Sequence, residues 1–278
     1  MAALPVSIVI PAHNEARVIE RCLHGLTEGA AANELELIVV CNGCTDDTAE
    51  RARVAAPEAT VLELDVASKS AALNAGDRVA TRFPRFYVDA DIELAIDAVR
   101  ATAAILDRGD VPCAAPAPNF DTTGRPWYVR SFFRVFCDMP FMSGPGVVGT
   151  GVYALSRQGR ERFTDFPAIT ADDQFVMERF ATQERWALRS VSFTVHPPRD
   201  LPSLLNTRQR TYRGNAELRR HTPPVDDVAP GNRRALMHLL LDRHTASAVP
   251  VYLAINAIAK MRAMRAKPGT WERDESTR

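Results

Sequence analysis

Short apolar runs recur along the first hundred residues, at Val6 to Ile10, Leu35 to Cys41, Ala59 to Leu64 and Phe86 to Val88. Continuous apolar segments of this length suit strands buried on both faces of a parallel sheet. Between them, Ala16 to Glu28, Asp46 to Ala55 and Ser68 to Arg82 place apolar residues at helical spacing, with Thr45 and Ser68 positioned as N-caps. Strands alternating with helices predict βαβ crossovers, and so an α/β domain with a mostly parallel central sheet flanked by helices. Further on, Val152 to Leu155 reads as a strand, and Asp172-Asp173 opens a helix that includes Phe175, Val176 and Phe180. Thr170 and Asp173 have the spacing of a capping box at that helix start. A helix is predicted over Leu201 to Arg220, then a Pro-rich linker from Thr222 to Gly231 and a C-terminal helical extension. The pattern divides the chain into residues 1–95, 96–221 and 222–278.

The chemistry concentrates where the fourth run ends, at Asp89-Ala90-Asp91. Open α/β sheets bind ligands beyond the carboxyl ends of their strands. Two carboxylates at this spacing repel each other, and a divalent cation that prefers oxygen ligands relieves the repulsion. A turn acid followed by a helix cap would leave the same pattern. The first strand-to-helix turn, Pro11-Ala12-His13-Asn14-Glu15, has no G-x-G-x-x-G, and no G-x-x-x-x-G-K-[ST] occurs anywhere. A glycine cradle for phosphates is therefore missing, and a cation at Asp89 and Asp91 would fill the same electrostatic role.

Composition removes several alternatives. The 34 Lys plus Arg balance the 34 Asp plus Glu, so no global field recruits nucleic acid. The five cysteines, at 22, 41, 44, 113 and 137, are odd in number and scattered, which argues against a disulfide framework. Cys41-x-x-Cys44 lacks a second pair, and Asn42-Gly43 between them reads as a turn. The N-terminus runs into the first strand with neither a basic segment nor a small-residue cleavage site, so a cytoplasmic protein is expected.

Six segments then follow in order: Pro11 to Glu15, Asn42 to Thr48, Ser68 to Gly76, Asp89-Ala90-Asp91, Gly149 to Arg157 and Thr170 to Gln174. Their order and spacing resemble family-2 glycosyltransferases with the GT-A fold, over roughly the first two hundred residues. The resemblance implies a sugar transferred from a nucleotide-diphosphate sugar to an acceptor hydroxyl, with Mn²⁺ or Mg²⁺ stabilising the departing diphosphate. By position, Asp91 would be the main metal ligand, with Asp89 reaching the ribose or the metal through water. Pro11, Ala12, His13 and Glu15 would line the base and ribose, as would Ala90 beside the paired acids. Asn42 stands where the family more often has an acid that accepts from the base's ring N–H, which leaves the base open among uracil, thymine and guanine. Lys69 would lie near the nucleotide, or would merely decorate a helix start.

On the acceptor side the resemblance places Gly149, Thr150, Gly151 and Asp172, with Asp173 as general base. Glycines so close together also suit a tight turn before a strand. One carboxylate base with no evident nucleophile favours a single in-line displacement with inversion. His196, in Thr194-Val195-His196-Pro197-Pro198, resembles a downstream metal-ligating histidine of some relatives. Arg210 and Arg213, in Arg208 to Arg213, align with a segment that closes over the diphosphate, or form a solvated helical face. Gly214 replaces the Trp of processive synthases, and no run of about 20 apolar residues is present to span a bilayer. The expectation is a non-processive enzyme acting on a carbohydrate, lipid-linked or small-molecule acceptor. A non-catalytic sugar-nucleotide-binding module is one alternative. A D-x-D phosphatase is another, although it would want Thr where the chain has Glu93.

The last expectation concerns Thr245 to Ala259, uncharged and mostly apolar, followed by Lys260, Arg262, Arg265 and Lys267. It is interrupted by Pro250 and too short to span a bilayer. Such a stretch packs on the domain or a homodimer partner, or lies peripherally on the inner face of a membrane.

Overall fold

The structure is a computed structural model and describes residues 4–144, 146–221 and 232–265. The predicted linker Thr222–Gly231, Pro145 and Lys267 lie outside the described residues. Strands β1 (Val6–Ala12), β2 (Leu35–Asn42), β3 (Thr60–Leu64), β4 (Arg85–Val88), β5 (Cys113–Phe120), β6 (Val152–Leu155) and β7 (Arg185–Val195) form one sheet in the order β3-β2-β1-β4-β6-β5-β7. Among these strands β6 alone is reversed, pairing antiparallel with both β4 and β5. The mostly parallel sheet expected from the apolar runs is present, and β1 is buried along its whole length.

Helices α1 (Ile19–Thr27), α2 (Thr48–Ala55), α3 (Lys69–Val79) and α4 (Ile96–Asp107) are followed by α5 (Trp127–Asp138) and the single turns α6 (Pro140–Ser143) and α7 (Arg157–Arg160). Helices α8 (Asp172–Met177), α9 (Leu201–His221), α10 (Asn232–Leu241) and α11 (Val249–Arg265) complete the described elements. Alternate strand residues face opposite sides. Ile8, Ile10, Val39 and Phe86 pack with Ile19, Leu23 and Leu26 of α1 and Val99 and Leu106 of α4. Val9, Ile38, Val40 and Tyr87 pack on the other face with Leu73 of α3 and Phe175 and Val176 of α8. A third cluster joins Phe132, Phe133 and Phe136 of α5 to Leu204 and Leu205 of α9 and Val249, Tyr252 and Ile255 of α11.

The differences from the predicted boundaries have local causes. Helix α1 starts at Ile19 rather than Ala16, because residues 14–16 are tied to the start of α2: the Glu15 N–H donates to Thr48 Oγ1 at 2.7 Å and the Ala16 N–H to Asp46 Oδ2 at 3.4 Å. Thr45 does not cap α2. Its N–H donates to Asn14 Oδ1 at 2.6 Å, and Asp46 Oδ1 accepts from the Thr48 N–H instead at 3.1 Å. Ser68 does cap α3, its Oγ accepting from the Ala71 N–H at 3.2 Å. That helix ends at Val79 rather than Arg82, since the Thr81 N–H is taken by Glu36 Oε2 at 2.8 Å and the Arg82 N–H by Ser7 Oγ at 2.9 Å. Pro250 does not interrupt α11: it sits in the first turn, where a missing N–H costs no helical bond. No described helix is long and apolar enough to cross a membrane.

Candidate active site

The carboxyl ends of β1, β2, β4, β5 and β7 open onto a cavity of about 530 Å³. Thirteen of the residues singled out from the sequence line it: Pro11, His13, Glu15, Asn42, Lys69, Asp89, Ala90, Asp91, Thr150, Asp172, Asp173, His196 and Arg210. Ala12, Gly149, Gly151 and Arg213 do not line it.

The β1 and β2 ends form one hydrogen-bonded unit. Asn42 is buried, its Nδ2 donating to the Ala12 carbonyl at 2.8 Å while its Oδ1 accepts from the Ser68 N–H at 2.9 Å. Ala12 is itself 1% exposed, so its part in the site is that backbone carbonyl, not a side-chain contact. His13 Nδ1 lies 2.6 Å from the Asn42 carbonyl oxygen. Gly43 adopts φ +57, and a Cβ there would fall 2.6 Å from the Ala67 nitrogen. The turn between Cys41 and Cys44 therefore brings the start of α3 against β2, and both thiols are free.

Lys69, in the first turn of α3, joins the two halves of the cavity. Its Nζ lies 2.7 Å from Asp89 Oδ1 and 2.8 Å from Asp172 Oδ1. The ammonium is thus held between two carboxylates. Burial would lower the Lys69 pKa, but Asp172, Asp89 and Asp173 outweigh it and hold the ammonium well above the ordinary lysine range. Burial pushes the Asp172 carboxyl up to about 6, with Asp173 and Asp89 adding to the rise and Lys69 opposing it. The buried Tyr153 hydroxyl donates to Asp172 Oδ2 at 3.3 Å, and burial together with Asp172 raises the phenol's pKa.

The reversal of β6 explains how the glycine segment arrives. Val88 pairs with Val152, so the residues before β6, not after it, meet the end of β4. The Asp89 N–H donates to the Gly151 carbonyl at 2.8 Å. Gly149, Thr150 and Gly151 all have positive φ, at +117, +64 and +100. A Cβ on Gly149 would come within 3.2 Å of Asp173 Cβ, and one on Gly151 within 3.0 Å of Ile92 Cδ1. The tight turn and the close approach are thus the same feature. The glycines lie behind the cavity wall while Thr150 lines it.

Asp173 is half-buried at the start of α8. Its Oδ2 accepts from the Thr150 N–H at 3.2 Å and its Oδ1 from the Gln174 N–H at 2.7 Å. The expected capping box is absent. Ala171 occupies the N-cap, and the Asp173 carboxylate is engaged by these two amides. Two N–H donors hold the carboxylate in place.

At the far wall, His196 follows β7 and its Nε2 is hydrogen-bonded to Glu93 Oε1; Arg21 Nε lies 2.9 Å from the same oxygen. Ligation by Nε2 would require Glu93 to move away. No group of three or more His, Cys, Asp or Glu side chains that could hold a metal ion occurs among the described residues. Asp89 and Asp91 both line the cavity, Asp89 with one oxygen on Lys69. That donor set fits a cation whose other positions go to phosphate oxygens and water, a common arrangement for Mg²⁺.

Sequence reading missed the aromatic side of the cavity, formed by Phe120 at the end of β5 and by Phe132, Phe133 and Phe136 of α5. The density of aromatics in Trp127 to Phe136 was a signal, but such residues equally mark core, and these serve both uses. Arg208 was likewise missed as a lining residue. Its guanidinium lies 5.2 Å from the Phe136 ring centre and 5.3 Å from that of Tyr212, and its Nε donates to Asn256 Oδ1 at 3.2 Å. Arg213, one turn further along α9, falls outside the cavity.

A mostly parallel sheet with paired carboxylates at its ligand edge, joined through Lys69 to a second acid pair, has the arrangement of a GT-A-like fold. The Glycosyl transferase family 2 profile matches residues 7–174, more than half of the chain, and the protein belongs to that family. Among solved structures, it is similar to the mannosyltransferase PcManGT from Pyrobaculum calidifontis in complex with GDP-Man and Mn²⁺. That match has a TM-score of 0.61 and 23% identity, covering 94% of this chain and 76% of the other. It is similar to S. aureus TarS 1-349 in complex with UDP-GlcNAc, with a TM-score of 0.56 and 14% identity over 95% of this chain and 77% of the other. Glucosyl-3-phosphoglycerate synthase from Mycobacterium tuberculosis in complex with Mn²⁺, UDP-Glc and phosphoglyceric acid gives a TM-score of 0.56 at 20% identity, over 79% of this chain and 80% of the other. At these identities the likeness shows the fold. No curated protein sequence matches the chain significantly. The protein is a family-2 glycosyltransferase.

Proposed function

We propose that the enzyme transfers a glycosyl group, with inversion and with a divalent cation, from a nucleotide-diphosphate sugar to an acceptor hydroxyl, using Asp173 as general base. The observation that carries this reading is that Asp89, Asp91 and Asp173 line a single cavity, with Lys69 held between Asp89 and Asp172, the neighbour of Asp173. Residues 1–95 bind the donor, with Pro11, His13, Glu15 and the Asn42 unit against the nucleoside. Residues 96–221 receive the acceptor beside Thr150 and Asp173. Asp91 would hold the cation together with Asp89, and His196 would join only on leaving Glu93. Bound there, Mn²⁺ or Mg²⁺ would neutralise charge growing on the departing diphosphate.

The acceptor oxygen attacks the anomeric carbon as the carbon–oxygen bond to the diphosphate breaks, and the hydroxyl proton passes to Asp173. The two backbone amides on its carboxylate fix its direction and leave lone pairs to accept that proton. Lys69 and Arg210 supply fixed positive charge at the cavity wall. The three similar structures are complexes with GDP-Man and Mn²⁺, with UDP-GlcNAc, and with Mn²⁺ and UDP-Glc, which supports a metal-dependent nucleotide-sugar donor without selecting the base.

The test is nucleotide release from a panel of UDP, GDP and dTDP sugars by purified protein, with and without Mn²⁺ or Mg²⁺. We expect release from one donor class that requires the metal, and its loss together with metal-dependent nucleotide binding in Asp91→Ala. Full activity in excess chelator overturns the metal assignment.

A further inference from the structure

Helix α11 is apolar on two opposite sides. Val249, Tyr252, Ile255 and Ala259 recur at helical spacing and are buried against α5 and α9. On the opposite side, Leu253, Met261 and Met264 are 46%, 47% and 71% exposed, with Ala257 between them in the same row. Helix α10 repeats the arrangement: Ala235, Leu236 and Leu239 turn inward while Met237, Leu240 and Leu241 are exposed. Seven of the twelve large hydrophobic side chains exposed among the described residues belong to these two helices. An ordinary surface helix presents a polar outer face. These present apolar ones, and none of these outward residues lines the sugar-transfer cavity.

Charge singles out the same region. Across residues 232–265 there are Arg233, Arg234, Arg243, Lys260, Arg262 and Arg265 against the single acid Asp242, in a chain whose total charge is zero. Lys260 and Arg265 flank the outward row of α11 on either side. An exposed apolar row bordered by cations is what an amphipathic helix presents to anionic lipid, whose headgroups attract Lys and Arg while the acyl boundary takes the apolar side chains. A second copy of the chain would bring two basic borders together, which disfavours self-association through this face.

We propose that the outer face of α10 and α11 docks on an anionic lipid bilayer, with Leu253, Met261 and Met264 entering the headgroup boundary and Lys260 and Arg265 meeting anionic headgroups. The surface lies apart from the transfer site, so its test is independent of the proposed reaction.

The full chain is sedimented with vesicles of phosphatidylcholine alone and of equimolar phosphatidylcholine and phosphatidylglycerol, at low and high salt. Binding to the anionic vesicles is expected, weakened by salt and small on neutral ones. The triple substitution Leu253→Ser, Met261→Ser, Met264→Ser should lower the partition by about tenfold or more. Nucleotide release in solution should be unchanged. Should that protein misfold by circular dichroism, Lys260→Glu with Arg265→Glu provides the same comparison through charge. Equal pelleting with neutral and anionic vesicles overturns the proposal. So does unchanged binding by a folded variant, or a dimer in solution that the substitutions convert to a monomer while vesicle binding persists.

Discussion

The two walls of the cavity are built by different means. On the wall proposed to hold the donor, His13, Asn42, Ser68 and Asp89 sit at or just beyond the ends of β1, β2, β3 and β4, so each short motif is read directly as a strand followed by its ligand edge. On the wall proposed to receive the acceptor, Thr150 comes from a segment before the reversed β6, Asp172 and Asp173 from a two-turn helix, and Phe132 and Arg208 from long helices of a third cluster. The donor wall is a repeated local device. The acceptor wall is an assembly of distant pieces, and Lys69 ties it to the donor wall through Asp172.

Removing the base alone separates the walls most sharply. Asp173→Asn keeps the shape of the side chain and should leave donor binding within a small factor, while transfer falls by about 10²–10⁴. Titration calorimetry with donor and steady-state transfer rates measure the two. Equal losses in binding and rate would make Asp173 a structural element of the Thr150 turn.

The joint between the walls is expected to be pH-sensitive. With its folded pKa near 6 against an ordinary 3.8, Asp172 makes the folded chain bind more protons than the unfolded chain between those values. Its contribution to stability therefore falls as pH rises from about 4 to about 6. Asp172→Asn should abolish that falling contribution, so the stability of the wild type relative to the variant declines across the window in urea unfolding. A relative gain with rising pH would mean that Lys69 dominates and the carboxyl is lowered.

The β6 approach can be probed with glycines that share a left-handed backbone but differ in surroundings. Gly151→Ala meets Ile92 at 3.0 Å and should cost about 2 kcal/mol. Gly109, at φ +76 with nothing within 4 Å, should cost about 1 kcal/mol as Ala. Similar losses would show that backbone conformation, not the contact with Ile92, sets the cost. On the donor wall, Ser68→Ala removes one cap bond and should lower stability by about 1 kcal/mol, read as a modest fall in Tm.

This asymmetry also explains what the sequence disclosed. Parallel strands buried on both faces are continuous apolar runs, so β1 through β4 and the paired acids after β4 were legible in order. The Ser68 cap was legible because capping is decided within four residues, whereas Thr45 was lost to Asn14, thirty-one positions away. Neither the reversal of β6 nor the bond from Lys69 to Asp172 leaves a local trace. Both depend on which strands become neighbours. The aromatics of α5 were visible as apolar residues, but periodicity does not distinguish those that only fill the core from those that also face a cavity.

The reversal of β6 has a consequence for how such an enzyme can diversify. In a wholly parallel sheet, every segment reaching the ligand edge leaves a strand and leads into the crossover behind it, so altering its length disturbs the next packing unit. The segment before β6 enters the ligand edge from α5 and α6 and is anchored at its far end by the pairing of Val152 with Val88. Exchanges at Thr150, the residue of this segment that lines the cavity, can therefore alter the site while the strand pairs next to Asp89 keep their register. In such a scaffold the wall proposed to receive the acceptor can change without re-evolving the half proposed to hold the donor.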